Sequence, residues 1–294
     1  MEATLSEAAF NQLRSIIREH AGIRFRDNKK YLLESRARPR LVARNVPDFD
    51  AYVRLLQRGD GEMKHLLNAV TINETSFFRH PSQCDALEEK ILPDRIARRR
   101  REGSQTVRVW SAACSTGDEA YTLAILIAER IQPRFPSMQF EILATDIDTD
   151  ALGRARRGRY RERSVRNVPT AYLHKYFQRS GASYTLSPAI REMVAFQSIN
   201  LTDEAAVRRV GPVDVAMCAN VLIYFPEAKK QTVVQSIYRT LRPEGYVLVG
   251  GSETLGSTRV GLVPKHISDA LVYQRVSEEA SSYTAPSGYG SDVV

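Results

Sequence analysis

Cysteine is scarce in this 294-residue chain and scattered where it occurs, since Cys84, Cys114 and Cys218 are odd in number and far apart. Neither C-x-x-C nor H-E-x-x-H spacing occurs among these and the five histidines, so no disulfide framework and no metal site are expected. Long apolar runs are also missing. The longest, Tyr121 to Ala128, stops at Glu129, far short of the roughly 20 residues a membrane helix needs. The opening MEATLSEAAF carries Glu2 and no basic region followed by an apolar stretch, so it does not read as a secretory signal. A cytoplasmic location without membrane insertion is the expectation. Two phosphate-cradling patterns are absent as well, G-x-x-x-x-G-K-[ST] and G-x-G-x-x-G, which disfavours a nucleoside triphosphate or a pyrophosphate dinucleotide.

The residues that are present suffice for a proper core, with 43% hydrophobic content, and 42 Lys plus Arg against 34 Asp plus Glu leave a formal charge of +8. That balance favours an acidic partner: nucleic acid, anionic lipid or an acidic protein surface. Basic residues cluster at Arg24 to Arg44 and at Arg95 with Arg98 to Arg101.

The architecture changes near residue 105. Before it, FNQLRSIIREHAGI, KKYLLESRARPRLV, FDAYVRLLQ and MKHLLNAV space apolar residues three and four apart, as amphipathic helices do. After it come β-rich runs, VRVWS (107–111), FEILATD (140–146), VAFQSIN (194–200), VDVAMC (213–218) and YVLVGG (246–251), mostly separated by helix-like segments. Such alternation predicts an α/β fold with a parallel sheet and helices on both faces. Residues 157–193 are too long for one crossover helix, and SGASYTL within them suggests a hairpin in an inserted subdomain. The end, EEASSYTAPSGYGSDVV, is polar and small with no periodicity and reads as a disordered tail.

Two segments carry candidate chemistry. In WSAACSTGDEAYTLAI, small residues from Ala112 to Gly117 form a tight loop before a helix whose first turn holds Asp118 and Glu119. Such a loop lets a ligand approach the backbone, while the carboxylates repel phosphate and attract a cation. The next strand ends in ATDID, placing Asp146 where an acidic residue of this fold class accepts from ribose hydroxyls. A ligand with a ribose, no phosphate and a positive charge fits S-adenosylmethionine. Asp146 is equally suited to capping the helix that follows. A third segment, TINETSFFR (71–79), has two readings of its own: a helix end and cap with Phe77 and Phe78 in a domain seam, or part of a ligand site.

TINETSFFR, WSAACSTGDEAYTLAI, ATDID, SINL (198–201), CANVLIYF (218–225) and LRPEGYVLVGGSETL together resemble, in order and spacing, the motif series of CheR-type chemotaxis receptor methyltransferases. The resemblance covers about residues 5 to 276. It implies an N-terminal helical receptor-contact domain (1–80), a linker helix (81–105), and a Rossmann-like S-adenosylmethionine-dependent methyltransferase domain (106–277) with a small inserted β-subdomain, before a tail at 278–294. It further implies that Asn73, Thr75 and Arg79 lie over the cofactor and that Ala113 lies in its loop. Glu119 would hold the methionine end, Asp146 the ribose, and Asn200 with Leu201 the adenine. Asn220 and Tyr224 would stand beside the sulfonium, with Ala219 among the cofactor-binding residues. The implied reaction transfers a methyl group to glutamate side chains on the cytoplasmic helical region of chemoreceptors, for sensory adaptation, leaving S-adenosylhomocysteine.

A glutamate with a pKa of about 4.3 is ionised at neutral pH and needs no general base, so catalysis reduces to placement. Arg79 and Tyr224 are the expected holders of that carboxylate. Lys29, Arg36, Arg40 and Arg44 recur at helical intervals and are expected to form a basic stripe toward an acidic receptor helix, with Pro39 as a potential break. Two positions depart from the family pattern. Ala219 stands where it usually has arginine, and Ala120 where it has proline. The first keeps open a cofactor-binding receptor module with weak or no activity. A nucleic-acid methyltransferase fits the charge but lacks the two prolines of N-P-P-Y and any flipping machinery. A monomer is the default.

Overall fold

The computed structural model describes residues 4–256 and 260–276. The segment 278–294, expected to be a disordered tail, lies outside the described residues. Four helices open the chain: α1 (Glu7–Ala21), α2 (Lys30–Ala43), α3 (Phe49–Gln57) and α4 (Glu62–Val70). Local chemistry sets their limits. Ser6 Oγ accepts from Ala9 N at the start of α1 and Asp48 Oδ1 from Ala51 N at the start of α3. Gly22, at φ 72°, closes α1. Helix α2 continues through Pro39. Leu13, Ile17, Leu33, Leu41, Phe49, Tyr52, Leu66 and Val70 pack into a separate core for this half.

Residues 71–80 cross from the helical half to a long helix built of α5 (Pro81–Ala86), a π-helical turn (Leu87–Ile91) and α6 (Leu92–Arg101). The last turn of α6 is all arginine, favourably placed at the negative end of the helix dipole. Among the described residues ten strands follow: β1 (Thr106–Ala112), β2 (Gln139–Asp146), β3 (Arg159–Arg161), β4 (Phe177–Ser180), β5 (Ser183–Leu186), β6 (Val194–Ser198), β7 (Val213–Cys218), β8 (Leu241–Val249), β9 (Leu262–Ile267) and β10 (Ala270–Arg275). Seven form one sheet in the order β6-β2-β1-β7-β8-β10-β9, with helices α7 (Asp118–Leu126) and α8 (Thr149–Arg157) among its crossovers. Strands β3, β5 and β4 form a separate antiparallel sheet, with Gly181 at φ 58° in the β4–β5 turn.

The main sheet is mixed, which corrects the expectation of a parallel one. Its first five strands are parallel, but β10 runs antiparallel to both β8 and β9. The β9–β10 turn, Ser268 and Asp269, has φ of 46° and 61°, a tight hairpin geometry that asparagine and glycine signal more clearly. One buried ion pair, Arg95 Nη2 to Asp214 Oδ1 at 3.0 Å, ties α6 to β7. Among the described residues no helix is long and apolar enough to cross a membrane.

Candidate functional site

The chain runs outward from β1 in both directions, to β2 and β6 on one side and to β7 and β8 on the other. Ligands of open α/β sheets bind where strand order reverses, beyond the carboxyl ends of the strands. A cavity of about 460 Å³ opens there, within the roughly 300–1,000 Å³ usual for small-molecule sites. It is walled by the loops after β1, β2 and β7, by the crossing segment 71–80, and by residues from Ala21 to Leu32 of the helical half.

Backbone strain concentrates around it. Phe78, Ala113, Ser115 and Asn220 adopt φ of 50°, 59°, 51° and 61°, a conformation that costs a non-glycine residue energy and is tolerated where surrounding contacts dictate it. Gly117, at φ 84°, starts α7, and a Cβ there would lie 2.9 Å from Ala155 Cβ. Only glycine permits this turn, which delivers Glu119 to the cavity wall.

The carboxylates are held in distinct ways. Asp146 Oδ2 accepts from Ser115 N at 2.7 Å and Oδ1 from Asp148 N at 2.8 Å. The cap of α8 is Asp148, whose Oδ1 accepts from Asp150 N and Ala151 N. The capping alternative for Asp146 therefore falls to its neighbour. Burial pushes Asp146 up to about 6, against the pull of these backbone bonds. Burial likewise pushes Glu119 up to about 7; Glu253 adds to the rise, while the bond donated by Ser111 Oγ at 2.7 Å and the Arg79 charge oppose it. Both carboxylates are costly to ionise on their own. A cation near Glu119 and hydroxyl donors to the remaining lone pairs of Asp146 would offset that cost, so the donor set fits a ribose-bearing, phosphate-free, cationic ligand.

The segment TINETSFFR both packs into the seam and lines the cavity. Phe77 is fully buried, edge-on to Tyr160 and Phe177 with ring centroids at 4.8 and 5.1 Å. Asn73 lines the cavity but spends its amide on the protein: its Oδ1 accepts from Ser115 Oγ at 2.8 Å and its Nδ2 donates to Asp148 Oδ2 at 2.7 Å. Thr71 Oγ1 donates to the same Asp148 oxygen at 2.8 Å. Thr75 is half-buried on the cavity wall. Arg79 is exposed at the mouth, folded back so that Nη1 donates to Glu74 O at 2.7 Å. Half-buried Tyr224 is raised by burial and lowered by the charges of Arg79 and Arg36.

Ala113, Leu201, Ala219 and Asn220 also line the cavity. Asn200 does too, but its side chain is occupied, with Nδ2 donating to His20 O at 2.5 Å and Oδ1 accepting from Thr202 N and Oγ1. It joins the two halves of the molecule, with one Nδ2 hydrogen engaged in that link.

The expected basic stripe dissolves. Arg40 Nε and Nη2 bond both oxygens of fully buried Glu62 at 2.8 and 2.9 Å. Arg44 pairs with Asp60 and Glu62. Arg36 Nη1 donates to Val70 O and Thr71 O, closing the end of α4. Arg36 and Arg40 turn toward α4 because α2 packs on it, a neighbour that helical spacing does not reveal, while Arg44 stays exposed. Lys29, in the short 3₁₀ turn before α2, is exposed and lines the cavity with Arg24 and Arg26.

Sequence reasoning missed several residues. His80 Nε2 lies 2.9 Å from Asn220 Oδ1. Glu253, within GGSETL, is only 6% exposed and accepts backbone N–H groups from the 220–223 loop. A carboxylate following two glycines was the available signal.

Residues 73–266 match the family described as CheR methyltransferase, SAM binding domain, and residues 8–71 match CheR methyltransferase, all-alpha domain. The chain is 36% identical over 257 residues to chemotaxis protein methyltransferase 2 of Vibrio cholerae, covering 86% of this chain and 88% of that protein. It is 32% identical over 274 residues to chemotaxis protein methyltransferase 1 of Pseudomonas aeruginosa, covering 92% and 98%. Against the chemotaxis protein methyltransferase of Escherichia coli it is 33% identical over 255 residues, covering 85% of each.

Proposed function

The chain belongs to the CheR methyltransferase family, and we propose that it esterifies glutamate side chains on a helical region of a chemoreceptor with the methyl group of S-adenosylmethionine. The observation that carries this reading is the polarity of one cavity, with the carboxylates of Glu119 and Asp146 inside and the guanidinium of Arg79 and phenol of Tyr224 on its wall. When bound, the cofactor supplies an electrophilic methyl group on a sulfonium.

The protein's own residues do the rest by placement. Glu119, raised by burial to about 7, is drawn fully into its ionised form by a positive charge, and Asp146 offers its free lone pairs to hydroxyls. Arg79, partly committed to Glu74 O, keeps N–H donors for an incoming carboxylate. Tyr224, with a pKa raised mainly by burial, remains a protonated donor at neutral pH. The substrate carboxylate arrives ionised, and neutralisation of opposite charges as the methyl moves leaves no growing charge to stabilise, so no general base is required. At the mouth, Ile72 and Ile223 are 44% and 55% exposed. With Arg24, Arg26 and Lys29 beside them, they suit an amphipathic helix with acidic and apolar side chains better than a nucleic acid. These residues take the docking role expected of Arg36 and Arg40. Arg79 also supplies a guanidinium that Ala219 does not, which favours an active enzyme over a silent module.

The test uses methyl-labelled S-adenosylmethionine with membranes carrying a methyl-accepting receptor. Label on receptor-sized bands that mild alkali removes is the expected result, diagnostic of methyl esters. Alkali-stable label, or none despite measured cofactor binding, overturns the reading. Arg79→Ala is expected to lower turnover at least tenfold while changing cofactor affinity less than threefold, and equal losses in both would remove Arg79 from substrate placement.

A further inference from the structure

The loop after β7 is under strain at Asn220, and the regular structure within it is one short 3₁₀ turn, Leu222–Tyr224. Asn220 sits at φ 61°, and the residues through Ile223 and Tyr224 turn sharply at the cavity mouth. What holds them comes from elsewhere in the sequence. Glu253, beyond β8, is buried and turns both carboxylate oxygens to backbone N–H groups: Oε2 accepts from Asn220 N at 2.6 Å and Gly250 N at 2.7 Å, and Oε1 accepts from Ile223 N at 3.2 Å. Its own N–H donates to Gly250 O at 2.8 Å, closing the turn that presents it. Gly250 completes the fit, because a Cβ there would stand 2.6 Å from Asn220 Nδ2 and 2.8 Å from Glu253 Oε2. On the other side of the loop, His80 Nε2 meets Asn220 Oδ1 at 2.9 Å, linking it to the crossing segment.

We propose that Glu253 is a positioning residue: its carboxylate holds residues 220–223 in the strained conformation that presents Asn220 and Tyr224 to the cofactor and the incoming carboxylate. A neutral or apolar side chain would leave these N–H groups with weaker partners or none. A carboxylate accepts all three because it carries no donor of its own, and charge-assisted bonds are the stronger kind. Glu253 also sets a negative charge near Glu119, which adds to the rise that burial imposes on that carboxyl. The role of Tyr224 rests on the proposed reaction; the ordering of the loop for cofactor binding does not.

The test is Glu253→Gln in the full chain, read by calorimetric titration with S-adenosylmethionine and by amide hydrogen exchange without it. Glutamine keeps the size but turns an NH₂ toward at least one of the three backbone donors. Expected are faster exchange at Asn220 and Ile223 and a cofactor affinity about tenfold weaker, the scale of one lost charge-assisted bond. Gly250→Ala, which crowds the same atoms, is expected to reproduce both effects. Glu253→Asp should recover part of the affinity, since it restores an acceptor without a donor. As a control for general destabilisation, Asp48→Ala removes the cap of α3, remote from the loop, and should leave affinity and loop exchange unchanged. Unaltered exchange at 220–223 in a folded Glu253→Gln protein, affinity within twofold of the parent, or an equal loss in Asp48→Ala would each overturn the proposal. No readout requires a receptor, so a failed proposal about the substrate leaves this result interpretable.

Discussion

Glu119 is a carboxylate that its own protein discourages from ionising, and that gives the site a pH signature. With burial raising it to about 7, a cationic ligand favours the ionised form and expels a proton. Affinity for S-adenosylmethionine should therefore rise roughly tenfold between pH 6 and pH 8, and Glu119→Gln should flatten that slope in a calorimetric titration. The sign for folding is opposite. A carboxyl whose folded pKa lies above its unfolded value of 4.5 contributes stability that is complete below that value and lost as pH rises through about 7, so cofactor should protect against heat most strongly at high pH. Glu62 behaves in reverse. Burial pushes it up, but the bonds from Arg40 and Tyr52 prevail and lower it, so its contribution is present above about 4.5 and lost as pH falls through the folded value. Arg40→Ala would strip a buried carboxylate of its main partner, at a cost of about 3 kcal/mol, the low end for broken buried pairs because Arg44 stays 3.6 Å away. Denaturant titration should show that loss with cofactor affinity unchanged; a weakened receptor interaction without lost stability would return Arg40 to the docking surface. Asp146 and Glu119 were legible in the sequence because strand ends and helix starts fix where such side chains go. Arg36 and Arg40 were not, because their partners Val70 and Glu62 lie on another helix.

At the scale of elements, the crossing segment 71–80 is a strap tied down by side-chain bonds. Asn73 joins the loop after β1, through Ser115, to the cap of α8, through Asp148, tying to the strap the same two residues that Asp146 bridges from β2. Asn73→Ala removes both of its bonds, and cofactor affinity should fall about tenfold. Thr71→Val, which removes one bond to the same Asp148 oxygen, should cost less; equal effects in a calorimetric comparison would mean that the strap serves only to anchor α8. Elements with strong periodicity are legible in the amino-acid sequence, including the four N-terminal helices and the five parallel strands. The β9–β10 hairpin is not. Its edge strand, LVPKHI, carries Pro264 and Lys265, which suit an edge but dilute the β signal. Helix α2 is harder to read for the opposite reason, since Pro39 announces a break that the helix does not make.

Among the described residues, the helical half has one apolar core and the sheet half has two, and the halves share one cavity. The helical half buries its own apolar residues, and from the sheet half only Ile147 packs among its partly buried neighbours. Polar bonds join them: Asn200 Nδ2 to His20 O, Arg24 N to Tyr224 O, Asn68 Nδ2 to Thr149 Oγ1, and Thr71 to Asp148. Contacts of this kind cost little core when cut, so a fragment beginning at Ile72 should retain its sheet and a cooperative thermal transition. Its cavity would nevertheless lack the wall from Ala21 to Leu32 and the anchors of Asn200 and Tyr224. The expected result is a folded fragment whose affinity for S-adenosylmethionine is at least tenfold weaker, partly recovered when residues 1–71 are supplied as a separate chain. Affinity equal to that of the full chain would mean that the sheet half builds the cofactor site by itself. The helical half would then act only on what enters the mouth, and the cations Arg24, Arg26 and Lys29 would matter for the protein substrate alone.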